Sequence, residues 1–235
     1  MMTRRHVLQA ALASAAAAVI AACKGKTRIA TSPTPTSPST ATPTATTTAV
    51  PSCVVKPALT EGPFFVDEKL NRSDIREDRA GTKLRLTFNV SSLAGVACTA
   101  LQGAQVDVWH CDADGVYSDV SQNNSVGKKF LRGYQLTDEN GAAAFTTIFP
   151  GWYSGRAIHI HFKIRVSTYE FTSQLFFDDS TLDAVLSKDP YKDRGSPNTR
   201  NASDGIYASG GSQMIPTVKS EGSGYSAAFD IGLQL

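Results

Sequence analysis

Short stretches in which apolar and polar residues alternate are the feature that most limits what this chain can fold into. Alternation with a period of two is typical of β-strands with one buried face, and turn residues such as those at positions 139–141 separate the stretches. Strands at this spacing predict an all-β fold, an antiparallel β-sandwich with long loops and at most one or two short helices. The predicted strands cover residues 84–92, 104–109, 133–137, 143–148, 157–166, 171–177 and 225–233.

One helix is predicted over residues 181–186, with Asp179 or Ser180 as its N-cap and Pro190 beyond its end. Residues 188–223 are rich in Gly, Ser, Asn, Asp and Pro, which is typical of a long ordered loop.

The start of the chain predicts export. Arg4-Arg5 and the alanine-rich apolar run that follows are typical of a twin-arginine signal, and the run is too short and too weakly apolar for a membrane span. Residues 20–23 resemble a lipobox with Cys23 as the lipidated residue, which would hold the protein at the cell envelope. The alternative is an ordinary signal peptide with an incidental cysteine. We therefore expect a signal over residues 1–23, a Thr/Pro/Ser-rich linker over 24–51 and one domain over 52–235.

The charge of the predicted domain argues against a nucleic-acid partner. The chain has 23 Lys and Arg residues against 21 Asp and Glu residues, but five of the basic residues and none of the acidic ones precede the domain. The domain therefore carries 18 basic and 21 acidic residues, whereas nucleic-acid binding needs a basic surface.

The cysteines fit an oxidising compartment. Beyond Cys23, the chain contains Cys53, Cys98 and Cys111. Cys98 precedes a predicted strand and Cys111 ends it, so we expect a disulfide between them and leave Cys53 unassigned. The alternative of a zinc site built on cysteines lacks any Cys-x-x-Cys spacing.

Residues 149–162 carry the strongest functional signal. His159 and His161 alternate with apolar residues on a predicted strand, so both imidazoles face the same side about 6–7 Å apart along the strand and can converge on one metal ion. The alternative is a pair of surface or hydrogen-bonded core histidines. Tyr153 and Arg156 precede them. A phenolate is a hard ligand that suits a hard ferric ion, whereas zinc more often binds Cys or carboxylate groups.

The sequence PGWYSGRAIHIHF resembles the iron site of the intradiol ring-cleavage dioxygenases. Further motifs match in the same order between residues 60 and 177: TEGPFF, VDVWHCDADGVYSDV, LTDENG and TSQLFF. In that family two tyrosinates and two histidines hold a non-haem ferric ion, and the resemblance places them at Tyr117, Tyr153, His159 and His161. Tyr134 is the rival candidate to Tyr117.

The resemblance also implies an activity. A small aromatic diol of the catechol type would be cleaved between its two hydroxyls with O2 to give a muconate-type diacid. Tyr153 would act in turn as ligand and base, Arg156 would stabilise developing negative charge, and Gln174 would orient an intermediate. Arg132 remains either a second pocket charge or a structural residue, and His110 is expected to be structural.

The resemblance leaves the catechol and the oligomeric state open, because the connection from Tyr153 to His159 is shorter here than in the better-known soluble members. A different class of function also remains. The export signal, the linker and the Gly/Ser-rich C-terminal region are compatible with a surface-tethered, non-catalytic β-sandwich module that binds polysaccharide or aromatic polymer.

Overall fold

Strand β1 (Lys83–Ala94) shows how the alternating pattern produces the fold. Leu84, Leu86, Phe88 and Val90 are fully buried, and the side chains between them are exposed or half-buried. Burying one such side chain stabilises the fold by about 1.5–3 kcal/mol. The strand must therefore place one face on a core and the other towards solvent.

The computed structural model describes residues 54–95 and 97–235. Nine strands and two α-helices lie within these ranges. After β1 they are β2 (Ala97–Ala100), β3 (Gln105–Trp109), β4 (Arg132–Leu136), β5 (Ala142–Ile148), β6 (His159–Val166), β7 (Tyr169–Phe176), α1 (Asp179–Leu186), α2 (Gly205–Ala208), β8 (Thr217–Glu221) and β9 (Gly224–Gln234).

The strands form two sheets, which confirms the predicted sandwich. The first sheet has the order β2-β1-β9-β8, with β5 also paired to β1, and the second has the order β4-β3-β6-β7. Every pairing between these strands is antiparallel except that of β1 with β9, which run parallel. A parallel pair needs a long connection, and β9 meets this condition because it lies far from β1 in the sequence.

Aromatic rings join the two sheets. Phe88 of β1 lies 5.0 Å from Phe162 of β6 and 6.2 Å from Phe145 of β5, measured between ring centroids. Phe229 of β9 lies 5.7 Å from Phe162. Because this apolar core holds one face of β6, the positions of the side chains on its other face are fixed as well.

The structure contains all seven predicted strands and adds two others. The unpredicted β2 and β8 are short and contain no buried residue, so no buried apolar face marks them in the sequence. Helix α1 begins at Asp179 and its N-cap is Asp178, without a side-chain capping bond, so the predicted cap was wrong. The expected loop over 188–223 contains α2 and β8.

The predicted disulfide is also wrong. Cys98 is disulfide-bonded, but Cys111 is a free, buried cysteine. Cys98 belongs to β2 of the first sheet, whereas Cys111 follows β3 of the second sheet. A strand that separates two cysteines in sequence does not bring them together across the sandwich.

The export signal, Cys23, the linker and Cys53 lie outside the described residues, so the expectations about them stay predictions. None of the helices in the described part of the chain is long and apolar enough to cross a membrane.

Candidate metal centre

Strand β6 places His159 and His161 on the face opposite the core, as the alternation predicted. Both are buried, with 2% and 1% of their surface exposed. His159 Nδ1 lies 2.6 Å from the carbonyl oxygen of Ala157. Because a carbonyl only accepts, Nδ1 carries the proton and Nε2 is left with a free lone pair.

His161 is fixed by stacking. Its ring lies 5.0 Å from the ring of Trp109 at an interplanar angle of 10°, and its Nδ1 has no hydrogen-bond partner in the described part of the chain. Gly62 lies against the same ring: a Cβ there would be 3.1 Å from His161 Cε1, and the positive φ of 71° favours glycine. The TEGPFF segment therefore covers this histidine.

Two tyrosines complete the cluster. The hydroxyl oxygens of Tyr117 and Tyr153 lie 3.4 Å and 3.2 Å from His159 Nε2. Tyr117 is 1% exposed, whereas Tyr153 is half-buried. Tyr134, the rival candidate, lies within β4, and its backbone pairs with Leu70. The structure thus brings together all four predicted ligands and leaves Tyr134 elsewhere.

The loops that carry the two tyrosines lie backbone to backbone. A Cβ at Gly115 would lie 2.4 Å from the carbonyl oxygen of Trp152, and Gly115 has a positive φ of 80°. Arg194 donates from Nη1 to the carbonyl of Ala113 at 2.8 Å and from Nη2 to that of Trp152 at 2.9 Å. One guanidinium therefore joins the loop of Tyr117 to the loop of Tyr153.

The spacing of the four donor atoms fits a shared cation. His161 Nε2 lies 3.0 Å from His159 Nε2. The lone pair of His159 Nε2 therefore faces three groups: this nitrogen and the two tyrosine hydroxyls. Ligands of one ion with bonds of about 2.1 Å lie roughly 3.0–3.4 Å apart when they subtend about 90–110°. No group of three His, Cys, Asp or Glu side chains that could hold a metal exists among residues 54–95 and 97–235, so the donors are two imidazoles and two phenols.

The ionisation of these groups also fits a highly charged cation. Burial, followed by the charge of Arg156, lowers the pKa of His159 to about 3. Burial likewise lowers the pKa of His161 far below its usual value, so both imidazoles are neutral. Burial raises the pKa of Tyr153 to about 12 and that of Tyr117 well above its usual value. Only a strong positive charge nearby would lower the pKa of both tyrosines enough to generate two phenolates.

Arg156 lies beside this cluster in a polar network. Its Nε donates to Asp204 Oδ2 at 2.8 Å, and its Nη2 donates to Gln174 Oε1 at 2.6 Å. Gln174 is fully buried and donates to the carbonyl of Thr60 at 2.7 Å. Sequence reasoning missed Asp204. Asp204 is the N-cap of α2 in the structure, but the loop-like composition of residues 188–223 gave no signal for that helix.

The remaining candidates prove to be structural. Arg132 is buried, and its Nη2 and Nε donate to the carbonyl of Ser118, the residue after Tyr117. His110 is buried as well, with its ring nitrogens 2.8 Å from the carbonyl of Cys111 and 2.7 Å from Thr147 Oγ1. Neither residue belongs to the donor cluster, and Arg132 instead fixes the loop of Tyr117.

A family model and solved structures of dioxygenases both match this chain. A family model described as Dioxygenase matches residues 59–194. An intradiol ring-cleavage dioxygenase from Tetranychus urticae aligns with a TM-score of 0.72 and 33% identity, covering 77% of this chain and 95% of that chain. The dioxygenase domain of a dioxygenase–carbohydrate-binding protein fusion from Streptomyces sp. SirexAA-E aligns with a TM-score of 0.60 and 27% identity, covering 77% and 99%.

A curated relative matches over a smaller share. The chlorocatechol 1,2-dioxygenase of Rhodococcus opacus is 30% identical over 154 residues, which is 57% of this chain and 58% of that protein. The chain therefore spans less than two thirds of the length of this relative.

Proposed function

Because this chain belongs to the intradiol ring-cleavage dioxygenase family, we propose that it is a non-haem Fe(III) enzyme that opens a catechol-type ring between its two hydroxyls. The co-substrate is O2 and the product is a muconate-type diacid. The observation that carries the proposal is the convergence of two imidazoles and two phenols around His159 Nε2, within 3.0–3.4 Å.

The donor set supports iron over zinc. Two phenolates offset most of the charge of a trivalent ion, and hard oxygen ligands suit Fe(III). Tyr117, Tyr153, His159 and His161 would hold the ion. When bound, ferric iron supplies a Lewis acid that lowers the pKa of both substrate hydroxyls and prepares the ring for reaction with O2.

The two tyrosines differ in a way that supports separate roles. Tyr117 is fully buried, so it suits a permanent ligand, whereas the half-buried Tyr153 lies in a loop after β5. We assign Tyr153 Oη as the base that accepts a proton from a substrate hydroxyl. The same oxygen would be one of the four atoms that hold the ion, so Tyr153 would serve as both ligand and proton acceptor.

Arg156 supplies positive charge where negative charge develops on the substrate. Among the described residues its Nη1 makes no hydrogen bond, while Nε and Nη2 are engaged by Asp204 and Gln174. A guanidinium held on two sides is a preorganised donor, which is the arrangement that stabilises developing anions. Both polar atoms of Gln174 bind within the chain, so we assign it to holding Arg156.

Iron loading tests the proposal. We expect a burgundy protein, because phenolate-to-ferric charge transfer absorbs visible light, and oxygen uptake with simple catechols. His161→Ala is the control and should lose iron and colour together. A wild-type protein that stays colourless after aerobic iron loading would refute the assignment.

A non-catalytic binding module would need neither the buried donor cluster nor the Arg156 network. Binding of polysaccharide or aromatic polymer by an iron-loaded sample, without oxygen uptake across a panel of catechols, would favour that alternative.

On the sequence of residues 1–51 we propose export by the twin-arginine route and a lipid anchor at Cys23, with no other membrane contact.

A further inference from the structure

Asp204 is a buried carboxylate with a full set of hydrogen bonds. It is 1% exposed. Its Oδ2 accepts from Arg156 Nε at 2.8 Å and from the backbone N–H of Ala157 at 2.7 Å. Its Oδ1 accepts from the backbone N–H groups of Ile206 and Tyr207 at 2.7 Å and 2.9 Å. Four donors on one buried carboxylate keep it ionised.

The two carboxylate oxygens of Asp204 bind different parts of the chain. Oδ1 caps helix α2, which is an ordinary structural role. Oδ2 instead crosses to the segment that leads into β6, where it binds Arg156 and Ala157. The carbonyl of Ala157 in turn accepts from His159 Nδ1. One carboxylate oxygen therefore touches both the arginine of the proposed site and the residue that orients a proposed ligand.

The segment that carries Asp204 is anchored beside the site. Asn201 Nδ2 donates to the carbonyl of Phe177 at 2.8 Å, and the ring of Tyr207 lies 5.2 Å from that of Phe176. These contacts fix the segment on the end of β7. Asp204 also lies beyond the residues that the family model matches, which end at 194.

We propose that Asp204 is a positioning residue for Arg156: by holding Nε, it sets the direction in which the guanidinium presents its remaining donors to the substrate. This inference rests on the proposed function. A side chain as long as arginine loses much rotamer freedom when it is fixed, and a misplacement of about 1 Å can cost roughly a hundredfold in rate.

The test uses two substitutions of Asp204 in the iron-loaded full chain. Asp204→Asn keeps the side-chain volume but replaces one carboxylate oxygen with an NH2 group. That group cannot accept hydrogen bonds from the two N–H donors it would face. Asp204→Ser keeps an N-cap acceptor for α2 and is too short to reach Arg156. We expect each to lower kcat for a simple catechol about 10- to 100-fold, with near wild-type iron content and visible absorption.

A double-mutant cycle separates positioning from general damage. If Asp204 acts through Arg156, its substitution should change kcat less than about twofold in an Arg156→Ala background. An equal loss in both backgrounds would overturn the proposal, and so would loss of iron as complete as in His161→Ala. Asp183→Asn is the matched control, because Asp183 pairs with Arg200 at 2.6 Å on the surface, and it should leave kcat unchanged.

The outcomes also distinguish this inference from the proposed function. If the wild type binds iron but consumes no oxygen with any catechol, the proposed function fails, and the inference that rests on it fails with it. If the wild type turns over and only the cycle fails, the activity stands and the role of Asp204 is structural. Should Asp204→Asn not fold, Asp204→Ser decides, because it retains the helix cap.

Discussion

Substituting Gly115 should disturb the proposed metal centre without touching a ligand. An added Cβ would lie 2.4 Å from the carbonyl oxygen of Trp152 and 3.3 Å from the Cβ of Tyr153. A carbon–oxygen contact is ordinarily about 3.3 Å or longer, so Gly115→Ala must push the two tyrosine loops apart by roughly 0.9 Å. Metal ligands tolerate about 0.5 Å.

The energetic cost has two parts that a matched control can separate. Gly115 and Gly127 both have a φ of 80°, so alanine at either position costs about 1–2 kcal/mol of backbone strain. A Cβ at Gly127 meets nothing within 4 Å. Only Gly115→Ala adds overpacking, which costs about 1–3 kcal/mol. We therefore expect free energies of unfolding lowered by about 1–2 kcal/mol for Gly127→Ala and by about 2–5 kcal/mol for Gly115→Ala.

Two measurements check this reasoning. Denaturant unfolding of the metal-free proteins gives the free energies, and iron content with visible absorption after loading reports the tyrosine spacing. Gly127→Ala should bind iron as the wild type does, whereas Gly115→Ala should bind it weakly. Equal destabilisation by the two substitutions, together with full iron binding by Gly115→Ala, would show that contact between the loops does not set the geometry of the centre.

The other predictions concern separate parts of the molecule. His161→Ala should lose iron, whereas Arg156→Ala should keep it and lose about two to three powers of ten in kcat. Equal iron loss would make Arg156 part of the scaffold. Arg194→Ala should speed iron loss to a chelator, because its guanidinium joins both tyrosine loops, and an unchanged rate would contradict that role. Burial raises the pKa of Asp107 to about 6, above the usual unfolded value near 4, so stability should fall as pH rises from about 4 to 6. Asp107→Asn should flatten this part of a pH series of unfolding free energies, and an unaltered slope would argue against it. Cys23→Ala should release the protein from membranes or block its maturation, and wild-type protein found wholly in the soluble fraction would contradict the lipobox.

The sequence predicted the donor cluster because its main determinants are local. His159 and His161 share a face through the period of a strand, and β6 has that conformation. Tyr117 and Tyr153 came from motif resemblance rather than from periodicity, and the structure places both within 3.4 Å of His159 Nε2.

The features that escaped prediction depend on long-range contacts. Asp204 acquires its role from Arg156, 48 residues away, in a segment whose composition indicates only a loop. The alternation in β9 would be the same in a parallel or an antiparallel pair, so its direction beside β1 could not be inferred. The incorrect pairing of Cys98 with Cys111 has the same origin, because the sequence does not show which sheet each cysteine joins.

The parallel placement of β9 sets the order in which the chain can be assembled. Residues 117–161, with all four proposed ligands, leave the ribosome before Asp204 and before β9, which pairs with β1 on one side and β8 on the other. Until residue 234 emerges, the edge of β1 that pairs with β9 is open and Phe88 lacks its contact with Phe229, a state prone to association with other chains. Such distant pairings also slow folding. The four proposed ligands are thus synthesised before either the first sheet or the ion pair of Arg156 with Asp204 can be completed.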